Sequence, residues 1–371
     1  MNLQKNQIRL IFFLPFCGVG GASESVYKLV NFLIKKNFSI LVISIGRNLY
    51  KKKFKKINCD IIEINSKRSI LSIFKLRKIL LFEIKKNFKK KILISNFHYA
   101  NIISMIASYK VKNLKILLTE RSSVSELEYY DNYFQFFKNK IIYYLTKWFY
   151  KESDLVITNS NFEKKYIAKK FKVKNIKCIH PPSIEKIITL KNHIKKRNTI
   201  FKIIYVGRLS KEKGLHIILN SLSKLKRFDF TLDIYGDGPQ KLKIIELINS
   251  LKLNKNIKLK GHIENKNTIY KNADLFINAS IFEGLPNALV QSINYGVFPI
   301  CSNAPGGNLE VIKYGKLGLS FKMNDEKDLR NKVIKCFQNN LKLNYFLRKK
   351  HLLNYTEKKS FLNYYKIFIK I

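Results

Sequence analysis

Acidic residues are scarce in this chain. Only 25 Asp and Glu stand against 71 Lys and Arg, leaving a formal charge of +46 over 371 residues. Such an excess ordinarily points to nucleic acid or to an anionic membrane. Most of it is Lys, which travels here with abundant Ile and Asn in the manner of an A+T-rich coding bias, so its placement says more than its sum. Two runs, KKKFKK at 51–56 and KKNFKKK at 85–91, fall in the first quarter. A basic face toward anionic lipid and solvated loop charge both fit them. Paired cysteines are lacking too: Cys17, Cys59, Cys178, Cys301 and Cys336 form no CxxC and no paired spacing with His. That argues against a disulfide framework and sets the expectation of reduced thiols in the cytoplasm. No uninterrupted run of about 18 apolar residues occurs, so any membrane association is expected to be peripheral. The start, MNLQKNQIRLIFFLPFCGVGG, has no charged leader before a cleavable apolar segment; its apolar run breaks at Pro15 and Gly18 and reads as a first buried strand.

What is present is the composition of a folded protein, 46% hydrophobic and 26% charged, in a length that exceeds one ordinary core. Strand and helix patterns alternate. IRLIFFLPF leads into GVGGASESVYKLVNFLIKKN, whose Val26, Leu29, Val30, Leu33 and Ile34 recur at helical spacing after a Gly-rich turn, and SILVISI follows. KILISNFHYANIISMIASY repeats the plan, then KILLTE and SDLVITNSNFEKKYIAKKF, with Ser160 or Asn161 as candidate caps. Such alternation implies parallel sheets with crossover helices. Two prolines and a basic run around HPPSIEKIITLKNHIKKRNT end this set and read as a linker. A second α/β set runs through FKIIYVGRL, FTLDIYGDG, NIKLKGH, ADLFINAS, GVFPICS and LGLSF.

Ligands of open doubly wound sheets bind beyond the carboxyl ends of the strands, and the unusual residues collect there. RLSKEKG puts Arg208 and Lys213 on one loop, DGP follows LDIYG, His262 follows IKLKG, and NAPGGNLEVI follows FPICS. Backbone N–H groups at Gly-rich turns suit phosphate, and two cations on a neighbouring loop add charge-assisted bonds. Together they describe a site for a polyanion with a polyhydroxyl part. FEGLPNALVQS, residues 282–292, adds Glu283 just ahead of a helical run. A favourable charge at a helix N-terminus and a ligand-binding carboxylate remain open for it.

These motifs resemble the retaining glycosyltransferases of family 4, which have the GT-B fold and include bacterial enzymes of surface-polysaccharide, lipopolysaccharide and lipid-linked oligosaccharide assembly. The resemblance covers nearly the whole chain: GVGGASESVYKLVNFLIKK, TNS at 158–160, YVGRLSKEKG, YGDGP and GLPNALVQSINYGVFPICSNAPGGNLEVI. It implies an α/β fold class, GT-B, with two doubly wound Rossmann-like domains facing a cleft. An acceptor domain is expected at 1–182, a linker at 183–199, a donor domain at 200–345, and a helical segment, 346–371, packing back towards the first domain. By resemblance, Arg208 and Lys213 grip the nucleotide diphosphate, Glu283 lies near the donor sugar, and His98 stands near the transferred sugar. Gly20 and Gly21 lie beneath the diphosphate, and Gly207, Asp237, His262, Gly284, Leu285, Asn287 and Gln291 complete the donor contacts. The departure is Gln291, where the family has the second acid of its Glu-x7-Glu signature, understood to hold the ribose. Eight residues on one helix are about 80° out of phase, so Glu283 must precede the helix while Gln291 projects from its second turn.

The implied activity is hexosyl or N-acetylhexosaminyl transfer from a nucleotide-diphosphate sugar to a lipid-linked or membrane-bound glycan, on the inner face of the cell membrane. No metal is expected, because no Asp-x-Asp motif falls where such a fold would need it, and no nucleic-acid partner is expected. Rival readings are a basic nucleic-acid or membrane-surface binder and an epimerase or phosphorylase of the same architecture. Two features bear on the acceptor. Glu120 and Arg121, in TERSSVSELEYY, are expected either to pair or to touch acceptor. Phe134, Phe137, Ile141, Leu145 and Trp148 share one stripe of a helix at 129–150 and are expected in the core, with surplus aromatics beside Lys138, Lys140 and Lys147 available to a membrane interface.

Overall fold

The computed structural model describes residues 7–15, 21–66, 71–190, 200–225, 227–339 and 341–371. It divides into two compact units, residues 1–180 with 360–371, and residues 181–359. The first contains β1 (Ile8–Leu14), α1 (Gly21–Ile34), β2 (Ser39–Ser44), α2 (Lys51–Lys56), β3 (Asp60–Glu63), α3 (Ser72–Lys85), β4 (Lys90–Asn96), α4 (His98–Ala107), β5 (Lys115–Thr119), α5 (Tyr133–Glu152), β6 (Leu155–Thr158), α6 (Asn161–Phe171) and β7 (Ile176–Cys178). Its parallel sheet has the order β3-β2-β1-β4-β5-β6-β7. Because both faces are covered by helices, β1 is buried at every position and reads as a continuous apolar run.

The second unit contains β8 (Phe201–Val206), α7 (Leu215–Ser223), β9 (Phe230–Tyr235), α8 (Lys241–Ser250), β10 (Ile257–Gly261), α9 (Lys266–Tyr270), β11 (Leu275–Asn278), α10 (Asn287–Asn294), β12 (Phe298–Ser302), α11 (Asn308–Val311), β13 (Leu319–Phe321), α12 (Glu326–Asn339) and α13 (Tyr345–Leu352). Its sheet, again parallel, has the order β10-β9-β8-β11-β12-β13. In each unit the order reverses beside the first strand, at β1/β4 and at β8/β11, which is where such sheets leave a crevice.

The last helix, α14 (Glu357–Lys370), carries Phe361, Tyr364, Ile367 and Phe368 into the first unit's core, beside Phe12 and Val30. The boundary differs from the expected one. Residues 346–359 stay with the second unit, where Leu352 and Tyr355 are buried, and Ile184 of the expected linker joins the same core. Ser183 and Ile184 donate backbone bonds to Tyr355 O. Residues 191–199 of that linker lie outside the described residues. Both lysine runs are structured. KKKFKK is helix α2 around buried Phe54, with Lys51 paired to Glu63, and within KKNFKKK the Lys91 ammonium donates to Phe88 O at 2.9 Å.

Phe368 is fully buried and meets Phe12 edge-on at 6.4 Å. Phe368→Ala is expected to destabilise the first unit by about 3–5 kcal/mol, seen as a lower urea midpoint with the native circular dichroism spectrum retained before the transition.

Candidate functional site

In the second unit the loops after β8 and β11 touch through their backbones. The turn Lys211–Lys213 ends at Gly214, whose φ is 63°; a Cβ there would stand 2.1 Å from Ala279 O, so only glycine lets the two loops meet. Ile281 N donates to Glu212 O at 2.8 Å across the same junction. Here Lys213 Nζ and Ser280 Oγ both donate to Glu283 Oε1, each at 2.7 Å, while Oε2 has no partner among the described residues. The loop after β12 closes on the other side. Glu283 N donates to Pro305 O, Gly307 N donates to Gly284 O, and a Cβ on Gly306, at φ 123°, would lie 1.6 Å from Glu283 O. Glu283 thus precedes α10, as the spacing requires, with Pro286 at its N-cap.

Arg208 shares the β8 loop with Lys213. Its carbonyl accepts from the buried Tyr205 hydroxyl at 2.9 Å, while its guanidinium is exposed and makes no ion pair among the described residues. Leu209 N donates to Asp237 O, and a Cβ on Gly236 would meet Gly207 O at 1.9 Å, so Gly207 and Asp237 lie on touching loops. The exposed Asp237 carboxylate is held to low pKa by the Gly238 N–H, 2.8 Å from Oδ1, and by Lys241. His262 lies further out, exposed beyond edge strand β10, two strands from β8.

The residues of α10 are partly engaged elsewhere. Leu285 is a core side chain, leaving only its backbone and that of Gly284 for contacts. Asn287 Oδ1 accepts from Ser183 Oγ at 2.6 Å. Gln291 Oε1 accepts from the Tyr270 hydroxyl at 3.3 Å and Nε2 donates to Ser183 O at 3.0 Å. A carboxylate could not make that second bond, so the amide is matched to its own unit. Ser280, Tyr270 and Ser183 went unrecognised in the sequence, where only Ser280, three residues before Glu283, gave a local signal.

The first unit gathers a different chemistry beside β4, at its own reversal. Phe97 holds φ 74° and ψ 145°, a conformation costly for a non-glycine residue, and its N–H donates to Thr119 O at 3.0 Å. The strained junction delivers His98 as the first residue of α4 with its ring buried. His98 Nε2 lies 3.2 Å from Glu126 Oε1, whereas Nδ1 is 3.7 Å from Glu120 Oε1, beyond hydrogen-bond reach, and has no partner. Burial by itself lowers the pKa of His98, but the negative field of Glu120, Glu126 and Glu163 outweighs it and raises the net value. Glu120 Oε2 accepts from Tyr150 Oη at 2.5 Å, and Asn101 Nδ2 donates to that hydroxyl at 2.7 Å. The expected Glu120–Arg121 pair is absent, because the two side chains turn different ways. Glu120 is buried with Tyr150, and Arg121 Nε donates to Asn96 Oδ1 at 3.1 Å. Gly21 opens α1, and Gly20 lies outside the described residues. Among the described residues there is no group of three or more His, Cys, Asp or Glu placed to hold a metal ion.

Two parallel, doubly wound sheets with polar groups collected past their central strands define a protein of the GT-B class. The chain belongs to the group 1 and family 4 glycosyltransferases: residues 187–352 match the model of glycosyl transferases group 1, and residues 19–182 that of glycosyltransferase family 4. It is 30% identical over 266 residues to an uncharacterized glycosyltransferase of Methanocaldococcus jannaschii, covering 67% of this chain and 64% of that one. It is 25% identical over 234 residues to the N-acetylgalactosamine-N,N'-diacetylbacillosaminyl-diphospho-undecaprenol 4-alpha-N-acetylgalactosaminyltransferase of Campylobacter jejuni, covering 62% of each. The chain thus spans somewhat under two thirds of the length of these curated relatives. The solved structure of HepE from Anabaena with UDP is similar at a TM-score of 0.76 and 14% identity, covering 98% of this chain and all of that one.

Glu163 is a buried carboxyl of the first unit whose titration is displaced far upward. Burial pushes its carboxyl up to about 8, against the bonds from Val124 N and Ser123 Oγ that favour its charged form. The folded chain therefore keeps a proton that an unfolded glutamate releases near 4.5. Its contribution to stability is full below that value and is lost as pH rises through the window to about 8. Glu163→Gln, neutral throughout, is expected to gain on the parent by about 3 kcal/mol between pH 5.5 and 8.5, several degrees in melting temperature. Thermal melts at the two pH values check this, and parallel shifts of parent and variant would show that Glu163 is already ionised.

Proposed function

We propose that this chain is a retaining glycosyltransferase that moves a hexose or N-acetylhexosamine from a nucleotide-diphosphate sugar to a lipid-linked or otherwise membrane-bound glycan. The observation that carries the reading is the Lys213–Glu283 contact at the carboxyl ends of β8 and β11, with Arg208 exposed on the same β8 loop. An exposed guanidinium and a lysine on one loop suit a diphosphate, and a carboxylate with a free oxygen suits sugar hydroxyls. Support comes from relatives: the Campylobacter enzyme is named for an undecaprenol-linked acceptor and HepE was solved with UDP. In this reading Arg208 and Lys213 stabilise the charge that develops on the leaving diphosphate, and attack comes from the same face as departure. Gln291 keeps one N–H and one lone pair for a ribose beyond its two internal bonds.

Because two side-chain cations neutralise the diphosphate, transfer is proposed to need no metal and to survive EDTA. A preparation inactivated by EDTA and restored by Mg²⁺ or Mn²⁺ would reject that part. Arg208→Ala, Lys213→Ala and Glu283→Ala are each expected to lower transfer at least about a hundredfold with the fold intact, the scale of one preorganised electrostatic contact. Radiolabelled sugar transfer from a nucleotide-sugar panel to a membrane extract is the assay, and near-parental turnover in all three variants overturns the site.

A further inference from the structure

Helix α5 is built inside out. Its buried residues are Asn139, Ile142, Thr146 and Tyr150, a stripe that is largely polar. The apolar stripe lies on the opposite side, in solvent: Phe134 is 80% exposed, Phe137 64%, Ile141 62%, Tyr144 63% and Trp148 63%. On an ideal helix these five fall within about 80° of arc, centred roughly opposite the buried stripe. The expectation that Phe134, Phe137, Ile141 and Trp148 pack into the core is therefore overturned. The core that α5 joins needs a hydroxyl to hold Glu120, and Tyr150 supplies it from the other face.

Lysines line both flanks of the exposed stripe. Lys138 stands on one side, its ammonium 5.3 Å over the Tyr99 ring, and Lys140, Lys147 and Lys151 stand on the other, against one acid on the helix, Glu152. The pattern continues on the same helical layer, where α4 packs between α3 and α5. On α3, exposed Phe74 and Phe82 surround a shallow hollow with Arg77, Lys78 and Lys85. No helix among the described residues is long and apolar enough to cross a membrane.

We infer that the outer face of α5, extended by α3, is the surface on which this protein docks to an anionic lipid bilayer. The stripe lies in the plane of the interface with Trp148 and the phenylalanines at headgroup depth and the lysine ammoniums on lipid phosphates. The charge selects this occupant. A second copy on a two-fold axis would set lysine against lysine, whereas an anionic leaflet satisfies both the apolar stripe and its cationic borders. The inference rests on the proposed lipid-linked acceptor only for its purpose, which is to bring the first unit to substrate in a membrane.

Trp148 is the single tryptophan of the chain, so its emission reports this face alone. The full chain is mixed with vesicles of phosphatidylcholine containing 30–40% phosphatidylglycerol, about the anionic range that gives a useful surface potential, and with pure phosphatidylcholine. Expected are a blue shift and quenching by brominated acyl chains with the anionic vesicles, and at least about tenfold weaker partitioning of the Phe134→Ser/Phe137→Ser/Ile141→Ser variant, whose melting temperature stays at the parental value because all three side chains are exposed. Unchanged Trp148 emission, undiminished binding of the triple variant, an equal shift with single-stranded poly(dT), or a dimer that the triple variant abolishes each overturns the proposal. Transfer to the acceptors of a detergent-solubilised membrane extract, where no bilayer remains to dock to, separates the two readings. If it is absent from the parent while vesicle binding holds, the enzymatic reading fails and the docking surface stands. If it persists while binding fails, the reverse is true.

Discussion

The second unit's site depends on one contact, the Lys213–Glu283 ion pair at 2.7 Å. It joins the loops of β8 and β11, strands adjacent in the sheet yet about 70 residues apart in sequence. The contact exists because two backbones approach without side chains between them, at Gly214 against Ala279 and at Gly306 against Glu283. The pair is mostly shielded from water, with Lys213 25% and Glu283 13% exposed, so the attraction is stronger than at an open surface. Each partner also removes the other's uncompensated charge. That leaves one carboxylate oxygen, the remaining N–H groups of Lys213 and the exposed Arg208 with interactions to spare, a suitable condition for a site that receives an anion carrying hydroxyls.

The first unit solves a harder problem. It buries Glu120, Glu163 and His98 together, and desolvation of that many ionisable groups is costly unless each finds a partner or changes its charge. Both adjustments are visible. Glu120 takes a hydroxyl from Tyr150, Glu163 keeps its proton to about pH 8, and His98 gains basicity from the carboxylates around it. The strained Phe97 that introduces His98 is a further cost the local sequence does not explain. It is of the kind retained where a side chain must occupy one position.

Helix α5 connects these matters. Its polar stripe is spent on the buried cluster, through Tyr150, and its apolar stripe is left outside with a lysine border. Amphipathicity says that a helix has two faces. It does not say which one the protein keeps, and here the core claims the stripe with a hydroxyl in the right place.

By itself, the sequence determined the architecture. Continuous apolar strands alternating with amphipathic helices allow little besides parallel sheets, and the placing of Arg208, Lys213 and Glu283 just past strand ends follows from that period. Ser160 was also legible, since a cap acts within its own turn, and its side chain accepts from Glu163 N. Tertiary structure alone decided the rest, for a common reason: each depends on partners distant in the chain. The Ser183 carbonyl that fits an amide at Gln291 is 108 residues away. The hydroxyl that takes Glu120 from its neighbour Arg121 is 30 residues on. The last helix changes allegiance at Ser360 because the apolar side chains that follow fit the first unit's core. Periodicity reports what a segment can bury, and only the assembled neighbours fix what it does bury.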